Sequence, residues 1–222
     1  YFYFGANNIL ITNPRDIPGF VKILKKYKFT FISGVNTLFN KLLEDKNFQD
    51  CDFSKLNITI AGGMPVQKSV GDRWQKITGC LMVVGYGLSE TAPAASIDPV
   101  DGKTFSDTIG LPLPSTEMSI QDDKGKILSA EKEGEICIRG PQVMRGYWNN
   151  EKDTKIALTK DGWFKTGDIG KMRKDGYFQI VDRKKDMIIV SGFNVYPSDI
   201  EEVAMQHQKI LEAGCIGVSG NN

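Results

Sequence analysis

Three apolar runs, at 29–34, 56–63 and 80–87, alternate with two stripes of helical period. The runs are "FTFISG", "LNITIAGG" and "CLMVVGYG". Continuous apolar strands need cover on both faces, which a helical layer on each side of a parallel sheet provides. The intervening stretches have the right pattern for those layers. "VNTLFNKLLEDK" places Val35, Leu38, Phe39, Leu42 and Leu43 on one stripe, and "VQKSVGDRWQKI" does the same with Val66, Val70, Trp74 and Ile77. Upstream, "DIPGFVKILKKYK" carries Ile17, Phe20, Val21 and Leu24 opposite its lysines, after the short apolar run "NNILIT". This β-α-β alternation predicts an α/β fold: a parallel sheet with flanking helices.

After about residue 98 the pattern changes. Strands become short, and "DDKG" at 122–125 and "KDG" at 174–176 read as turns. "EGEICIRG" and "GYFQIVD" alternate as antiparallel strands do, which predicts a small distorted β-barrel subdomain over 105–182. The charged stretch "DRKKD", 182–186, reads as a linker. Beyond it come the strand "MIIVSG", a helix over 199–207 opened by a Ser198/Glu201 capping box, and a last strand, "GCIGVSG". The expected division is 1–104 in a large α/β domain, 105–182 in the β subdomain, and 183–222 as hinge and start of a small α/β domain. Neither end has the look of a natural terminus, so the chain reads as part of a longer protein.

Charge excludes some function classes. Lys plus Arg number 28 and Asp plus Glu 27, a net charge of +1, which gives no electrostatic footprint for nucleic acid. Cys51, Cys80, Cys137 and Cys215 are widely spaced and form no C-x-x-C pair, against both a zinc site and a disulfide framework. They read as reduced, mostly buried thiols of a cytoplasmic protein. The one histidine, His207, argues against His-rich metal sites and reads as a helix-end residue. No apolar run approaches bilayer-spanning length.

Three stretches carry chemistry. In open parallel sheets ligands bind beyond the carboxyl ends of the strands. Two such ends here are unusual: "AGGMP" (61–65), with Gly62 and Gly63, and "GYGLSET" (85–91). Bare backbone and the Tyr86 ring would flank a flat slot suited to a purine. Ser89 and Thr91 offer hydroxyls to phosphate oxygens, and Glu90 offers a hard oxygen to Mg²⁺ carried in by a nucleotide. The plainer reading is a tight turn and a core tyrosine. In "DGWFKTGDIG" (161–170), Asp168 on a turn could accept two vicinal ribose hydroxyls, or bond only its own backbone. In "IVDRKKDMIIVSGFNVYP" (180–197), Arg183 suits ribose or phosphate oxygens and a glycine at 192 leaves room for a thin ligand. A solvated charge run is the alternative.

Taken together, Y-G-x-[ST]-E-T, x-T-G-D and D-R-x-K-D-x-I-x-x-x-G, in this order, resemble the adenylate-forming superfamily of acyl-CoA synthetases, luciferases and peptide-synthetase adenylation domains. The long stretch at 161–185, with "GVNTLFNKLL", "AGGMPVQ", "GPQVMRGYW" and "KKDMIIVSGFNVYP", is most similar to bacterial long-chain fatty acid–CoA ligases. The resemblance implies ATP-dependent formation of an acyl-AMP, release of pyrophosphate, and transfer of the acyl group to coenzyme A, with a small domain rotating between the steps. It implies that Tyr86 packs on adenine, with Gly62, Gly63 and Gly87 lining the slot. Ser89 would contact the α-phosphate, Thr91 would bind the nucleotide with it, and Glu90 would ligate Mg²⁺. Asp168 would hold the ribose and Arg183 contact it. Lys185 would be the hinge and Gly192 would border the pantetheine channel. Ser89 stands where Thr is commoner, Lys165 where His or Arg is common, and Met172 where an aromatic often sits. The family's glycine-rich phosphate loop lies upstream of these residues and its late catalytic lysine downstream.

Two rival readings remain open: an adenylating ligase for an aryl or shorter acid, and a non-catalytic nucleotide-binding or scaffold module. Lys22, Lys25, Lys26 and Lys28 raise the idea of peripheral contact with a cytoplasmic membrane, for which a solvated helix face is the preferred alternative. The superfamily includes both monomers and homodimers.

Overall fold

A computed structural model describes residues 3, 5–102, 105–190, 193–205, 207, 209–210 and 213–218. Two compact units divide the chain: 1–85 with 98–107, and 86–97 with 108–222.

The first unit is the expected helix-covered parallel sheet. Strand β1 (Phe31–Gly34) pairs in parallel with β2 (Ile58–Gly62), and β2 pairs with β3 (Met82–Tyr86). Helices α1 (Ile17–Lys26), α2 (Asn36–Glu44) and α3 (Lys68–Thr78) supply the connections and the cover. Two of their ends are set locally. Asp16 caps α1, its Oδ1 accepting from Gly19 N at 3.0 Å, and Pro18 sits in the first turn, where it displaces no helical hydrogen bond. Gly79, in the left-handed conformation at φ 72°, ends α3.

The core of this unit forms between helices and sheet. Phe39, Phe48 and Trp74 are fully buried, with ring centroids 4.8 Å (Phe39–Trp74) and 5.3 Å (Phe48–Trp74) apart. The indole N–H of Trp74 donates to Thr59 Oγ1 at 3.0 Å, so neither buried polar group is orphaned. The run "NNILIT" forms no strand; Leu10 is exposed. Of the lysines set against the apolar face of α1, Lys25 pairs with Asp50 and Lys28 with Asp52.

The second unit is antiparallel. Strands β4 (Ser96–Ile97) and β5 (Leu111–Pro112) form a short pair. Strands β6 (Glu117–Gln121), β7 (Glu133–Arg139), β8 (Phe164–Met172) and β9 (Phe178–Arg183) form a sheet in the order β6-β7-β8-β9. Among the described residues its ladder has no β6–β9 rung. The turns at 122–125 and 174–176 close as expected, through Gly125 N to Asp122 O and Gly176 N to Arg173 O. Simple alternation fails in β7: Glu135, Ile136, Cys137 and Ile138 are all buried, because this central strand is covered on both faces. The short helix α4 (Glu151–Ala157), capped by Asn150, connects β7 to β8.

Beyond β9, "DRKKD" is only partly a linker. Asp182 and Arg183 complete β9, and the chain then turns, with Asp186 N and Met187 N both donating to Arg183 O. The hairpin β10 (Ile188–Val190) and β11 (Phe193–Val195) follows, then α5 (Pro197–Met205). The capping box does not form. Helix α5 begins earlier, with Pro197 at its first position, and Ser198 Oγ bonds Val181 O and Asp182 Oδ2. Glu201 instead accepts from Cys215 N at 2.8 Å. The last apolar stretch is not a strand: residues 213–218 carry no ladder and Ile216 and Val218 are exposed. An apolar run alone does not make a strand; it needs an edge to pair with. All four cysteines are free thiols, three of them buried.

Candidate functional site

Strands β2 and β3 are neighbours, and their carboxyl ends meet in register at Gly62 and Gly85. A Cβ on Gly62 would stand 2.6 Å from the Gly85 carbonyl oxygen, so this rung is closed to any side chain. Gly63 follows and is exposed. From Gly85 the chain passes directly into Tyr86.

The loop after Tyr86 is tightly specified. Ala95 N donates to Tyr86 O at 2.8 Å, folding residues 86–95 back on themselves. A Cβ on Gly87 would collide with the Pro93 carbonyl oxygen. Ser89–Thr91 forms one turn of 3-10 helix. Thr91 is fully buried: its Oγ1 accepts from Leu88 N at 2.9 Å and lies 3.0 Å from Leu88 O and 3.1 Å from Pro93 O. A hydroxyl with those partners shapes the turn and has no face left for a phosphate. Ser89, on the same turn, is exposed.

Glu90 is held at two points by the segment "GPQVMRGYW". Met144 N donates to Glu90 O at 2.8 Å, and the Tyr147 hydroxyl donates to Glu90 Oε1 at 2.8 Å. Burial and the adjacent carboxylate push the Tyr147 phenol up to about 12, so it remains a donor through the neutral range. Oε2 of Glu90 is the carboxylate oxygen that this bond leaves aside. Among the described residues no group of three or more His, Cys, Asp or Glu gathers into a metal cage. A hard cation at Glu90 would therefore need phosphate and water oxygens to complete its shell, as Mg²⁺ ordinarily does with a nucleotide.

Asp168 lies on a bulge of β8. Glu135 pairs with Ile169 and Cys137 with Lys165, so Thr166, Gly167 and Asp168 together face the single residue Ile136. Thr166 Oγ1 donates to Ile136 O at 2.8 Å and accepts from Asp168 N at 3.0 Å. Gly167, at φ 76°, makes the turn of the bulge. The bulge aims the Asp168 carboxylate at Tyr86, whose hydroxyl donates to Oδ2 at 2.6 Å. Arg183 pairs with Asp168 across the β8–β9 ladder, and its Nε stands 3.9 Å from Oδ1. Burial raises the Asp168 pKa above the ordinary aspartate value, with Tyr86 and Arg183 pulling against it and Glu135 adding to the rise. Burial first, then the Asp168 charge, drives the Tyr86 phenol far above its usual range.

Tyr86, Asp168 and Arg183, far apart in sequence, thus meet at one place, and Ser89, Glu90 and Thr91 share one turn. Lys185 sits exposed in the turn after β9. Gly192 lies outside the described residues. Sequence reasoning missed Tyr147, Glu135 and Lys184. Tyr147 gave no signal of its own. Glu135 did: it is a carboxylate directly before the apolar run 136–138, and a buried charge requires partners.

The family described as AMP-binding enzyme matches residues 1–148. A long-chain-fatty-acid–CoA ligase of Salmonella typhi is 55% identical over 214 residues, covering 96% of this chain and 38% of the relative. The chain thus spans little more than a third of the length of such relatives. Among solved structures, ATP-bound MatB from Rhodopseudomonas palustris superposes with a TM-score of 0.83 at 31% identity, covering 91% of this chain and 40% of that one. The anthranilate CoA ligase AuaEII, in complex with anthranoyl-AMP, gives 0.87 at 25% identity over 98% of this chain and 42% of its own.

Proposed function

The chain belongs to the AMP-binding enzyme family, and we propose that the protein carrying it is a long-chain fatty acid–CoA ligase that works through an acyl-adenylate. A carboxylate is a poor electrophile. In the first step a fatty acid carboxylate oxygen attacks the α-phosphorus of ATP, and the bond to the bridging oxygen breaks, releasing pyrophosphate. In the second the thiol of coenzyme A loses its proton and attacks the acyl carbon, and AMP leaves.

The observation that carries this reading is the convergence of Tyr86, Asp168 and Arg183, with Tyr86 bonded to Asp168 at 2.6 Å. In the proposed complex the Tyr86 ring packs on adenine beside the backbone of Gly87, and Gly62 and Gly63 are nucleotide-binding residues at the end of β2. The Asp168 carboxylate accepts the ribose hydroxyls, and Arg183 stands beside them. Ser89 donates to the α-phosphate, while Thr91 acts indirectly by holding the turn. Glu90 offers one carboxylate oxygen to a Mg²⁺ that the triphosphate brings, which would neutralise charge developing on the phosphates. Lys185 is the hinge for a small domain beginning near 183, with 1–104 and 105–182 as the preceding parts, and Gly192 borders the path of coenzyme A.

Identity to long-chain ligases across nearly the whole chain supports the choice of substrate. A cytoplasmic location fits the free thiols. Any contact with an anionic membrane would fall to Lys22, Lys25, Lys26 and Lys28, of which Lys25 and Lys28 form surface ion pairs with Asp50 and Asp52. Pairing as a homodimer belongs to the same reading.

The test is carboxylate-dependent pyrophosphate release by the full-length protein with ATP and Mg²⁺, across acids from acetate through palmitate and oleate to benzoate. Release with the long chains, then CoA-dependent AMP formation, is the expected result. Release only with benzoate or short acids would move the assignment to an aryl or short-chain ligase. Release with none would leave a nucleotide-binding module.

A further inference from the structure

Asp168 is aimed by a bulge, and a bulge apex is a weak point unless something holds it. Gly167 at this apex is held from both sides. Its N–H donates to Glu135 Oε1 at 3.1 Å, and its carbonyl accepts from Lys184 N at 2.8 Å. The two residues that hold it are themselves joined: Lys184 Nζ lies 3.2 Å from Glu135 Oε2. Lys184 Nζ also bonds Asp123 at 2.7 Å. Glu135 is only 7% exposed, so its charge requires these partners. Hydrogen bonding to Asp123, and then to Glu135, raises the Lys184 pKa above the usual lysine range.

Neither side chain is needed to build the sheet. The β7–β8 ladder runs through backbone groups on both sides of the bulge. A nearly buried carboxylate beside Ile136, Cys137 and Ile138 is a costly way to satisfy one N–H, which a strand partner or water could satisfy as well. What the carboxylate adds is a fixed direction for the Gly167 peptide, one residue before Asp168.

We propose that Glu135 and Lys184 are positioning residues for nucleotide recognition: their ion pair clamps the Gly167 peptide and thereby sets where the Asp168 carboxylate points. This rests on the reading of Asp168 as the acceptor of the ribose hydroxyls. The clamp acts on ribose recognition and leaves phosphate binding to the Ser89–Glu90 turn.

The experiment uses the full-length protein and two ligands, ATP and an ATP analogue lacking both ribose hydroxyls. Calorimetry gives the affinity for each, and thermal unfolding of every variant is followed in parallel. The wild type prefers ATP. Glu135→Met leaves the Gly167 N–H without its acceptor and Lys184 with Asp123 alone, and lowers ATP affinity about tenfold, the size of one charge-assisted hydrogen bond, with the analogue's affinity unchanged. Glu135→Gln, which keeps an acceptor but loses the ion pair, falls between the two. Lys184→Met moves the preference in the same direction as Glu135→Met. In an Asp168→Asn background, which has already lost the preference, Glu135→Gln and Glu135→Met add nothing further.

Three results would overturn the inference: a full preference for ATP in the Glu135 and Lys184 variants, equal weakening of both ligands, or an undiminished effect in the Asp168→Asn background. A wild type indifferent to the ribose hydroxyls would remove the ribose reading of Asp168, and the clamp with it. Loss of preference in Asp168→Asn alone would leave that reading standing and reject only the clamp.

Discussion

Tyr86→Phe removes one oxygen and leaves the ring. The structure fixes what that oxygen does: it donates at 2.6 Å to the Asp168 carboxylate, whose side chain is only 14% exposed. A hydrogen bond to an ionised, largely buried acceptor contributes about 1.5–3 kcal/mol, and the variant should lose stability of that order at neutral pH. The loss carries a pH signature. Burial already raises the Asp168 pKa above 3.8, and the Tyr86 bond lowers it. Without the bond the folded-state value rises further. A raised carboxyl pKa means stability that is present below the unfolded value and lost as pH rises through the folded value. That loss is larger in the variant, so the gap between wild type and Tyr86→Phe should be smallest near the ordinary aspartate value of 3.8, widen as pH rises, and level off above the variant's own folded-state pKa. Urea unfolding of both proteins at a series of pH values reads this directly. Equal stability at neutral pH, or a gap that widens as the solution is acidified, would refute the claim that the phenol stabilises an ionised Asp168.

Other expectations can be checked with the same preparations. Thr91→Val should cost about 1–2 kcal/mol in unfolding experiments, because it strips the Leu88 N–H of its acceptor. ATP should bind the refolded Thr91→Val protein with little change, which an essential phosphate contact would not allow. Gly87→Ala should destabilise by about 1–3 kcal/mol through overlap with the Pro93 carbonyl, again in urea unfolding. Glu90→Gln should reduce carboxylate-dependent pyrophosphate release on the order of a hundredfold or more while sparing metal-free ATP binding. If Asp168 accepts the ribose, as proposed, ATP affinity should fall on acidification from a pH above the ordinary aspartate range, because burial raises its pKa; titration calorimetry across pH would show it.

The parallel sheet was readable in the sequence because its signals are local. Apolar runs and helical stripes are set by the solvent, and α1, α2 and α3 fall within two residues of where their stripes place them. The strand ends at Gly62 and Tyr86 were readable for the same reason. The failures are non-local. "NNILIT" and residues 214–218 of "GCIGVSG" have strand-like composition and no ladder, since pairing depends on an edge that composition does not report. Ser198 and Glu201 have capping-box spacing, but the Asp182 carboxylate and the Val181 carbonyl take the serine, and Cys215 N takes the glutamate. The motifs announced Asp168 without showing how it is presented. That depends on where Thr166–Gly167–Asp168 falls against Ile136, a matter of register between two strands. Thr91 shows the converse: its residue type suits a phosphate, and only the fold shows its hydroxyl bonded to Leu88 and Pro93.

The state of Asp168 links that geometry to chemistry. Its two carboxylate oxygens are unequally served. Oδ2 receives the Tyr86 hydroxyl at 2.6 Å, while Arg183 Nε stands 3.9 Å from Oδ1, outside hydrogen-bond range. Arg183 is 63% exposed in its side chain, so water weakens its attraction, and the carboxylate stays poorly compensated for its burial. That imbalance accounts for its raised pKa. A carboxylate that is buried, held in direction and short of donors gains more from a pair of hydroxyls than one already satisfied by its own loop, because binding then removes a desolvation cost that folding left in place. The alternative reading of Asp168 as an ordinary turn residue requires its side chain to be occupied by nearby backbone N–H groups. Instead the backbone requirement of the bulge is met by Thr166, and the carboxylate is released to face Tyr86.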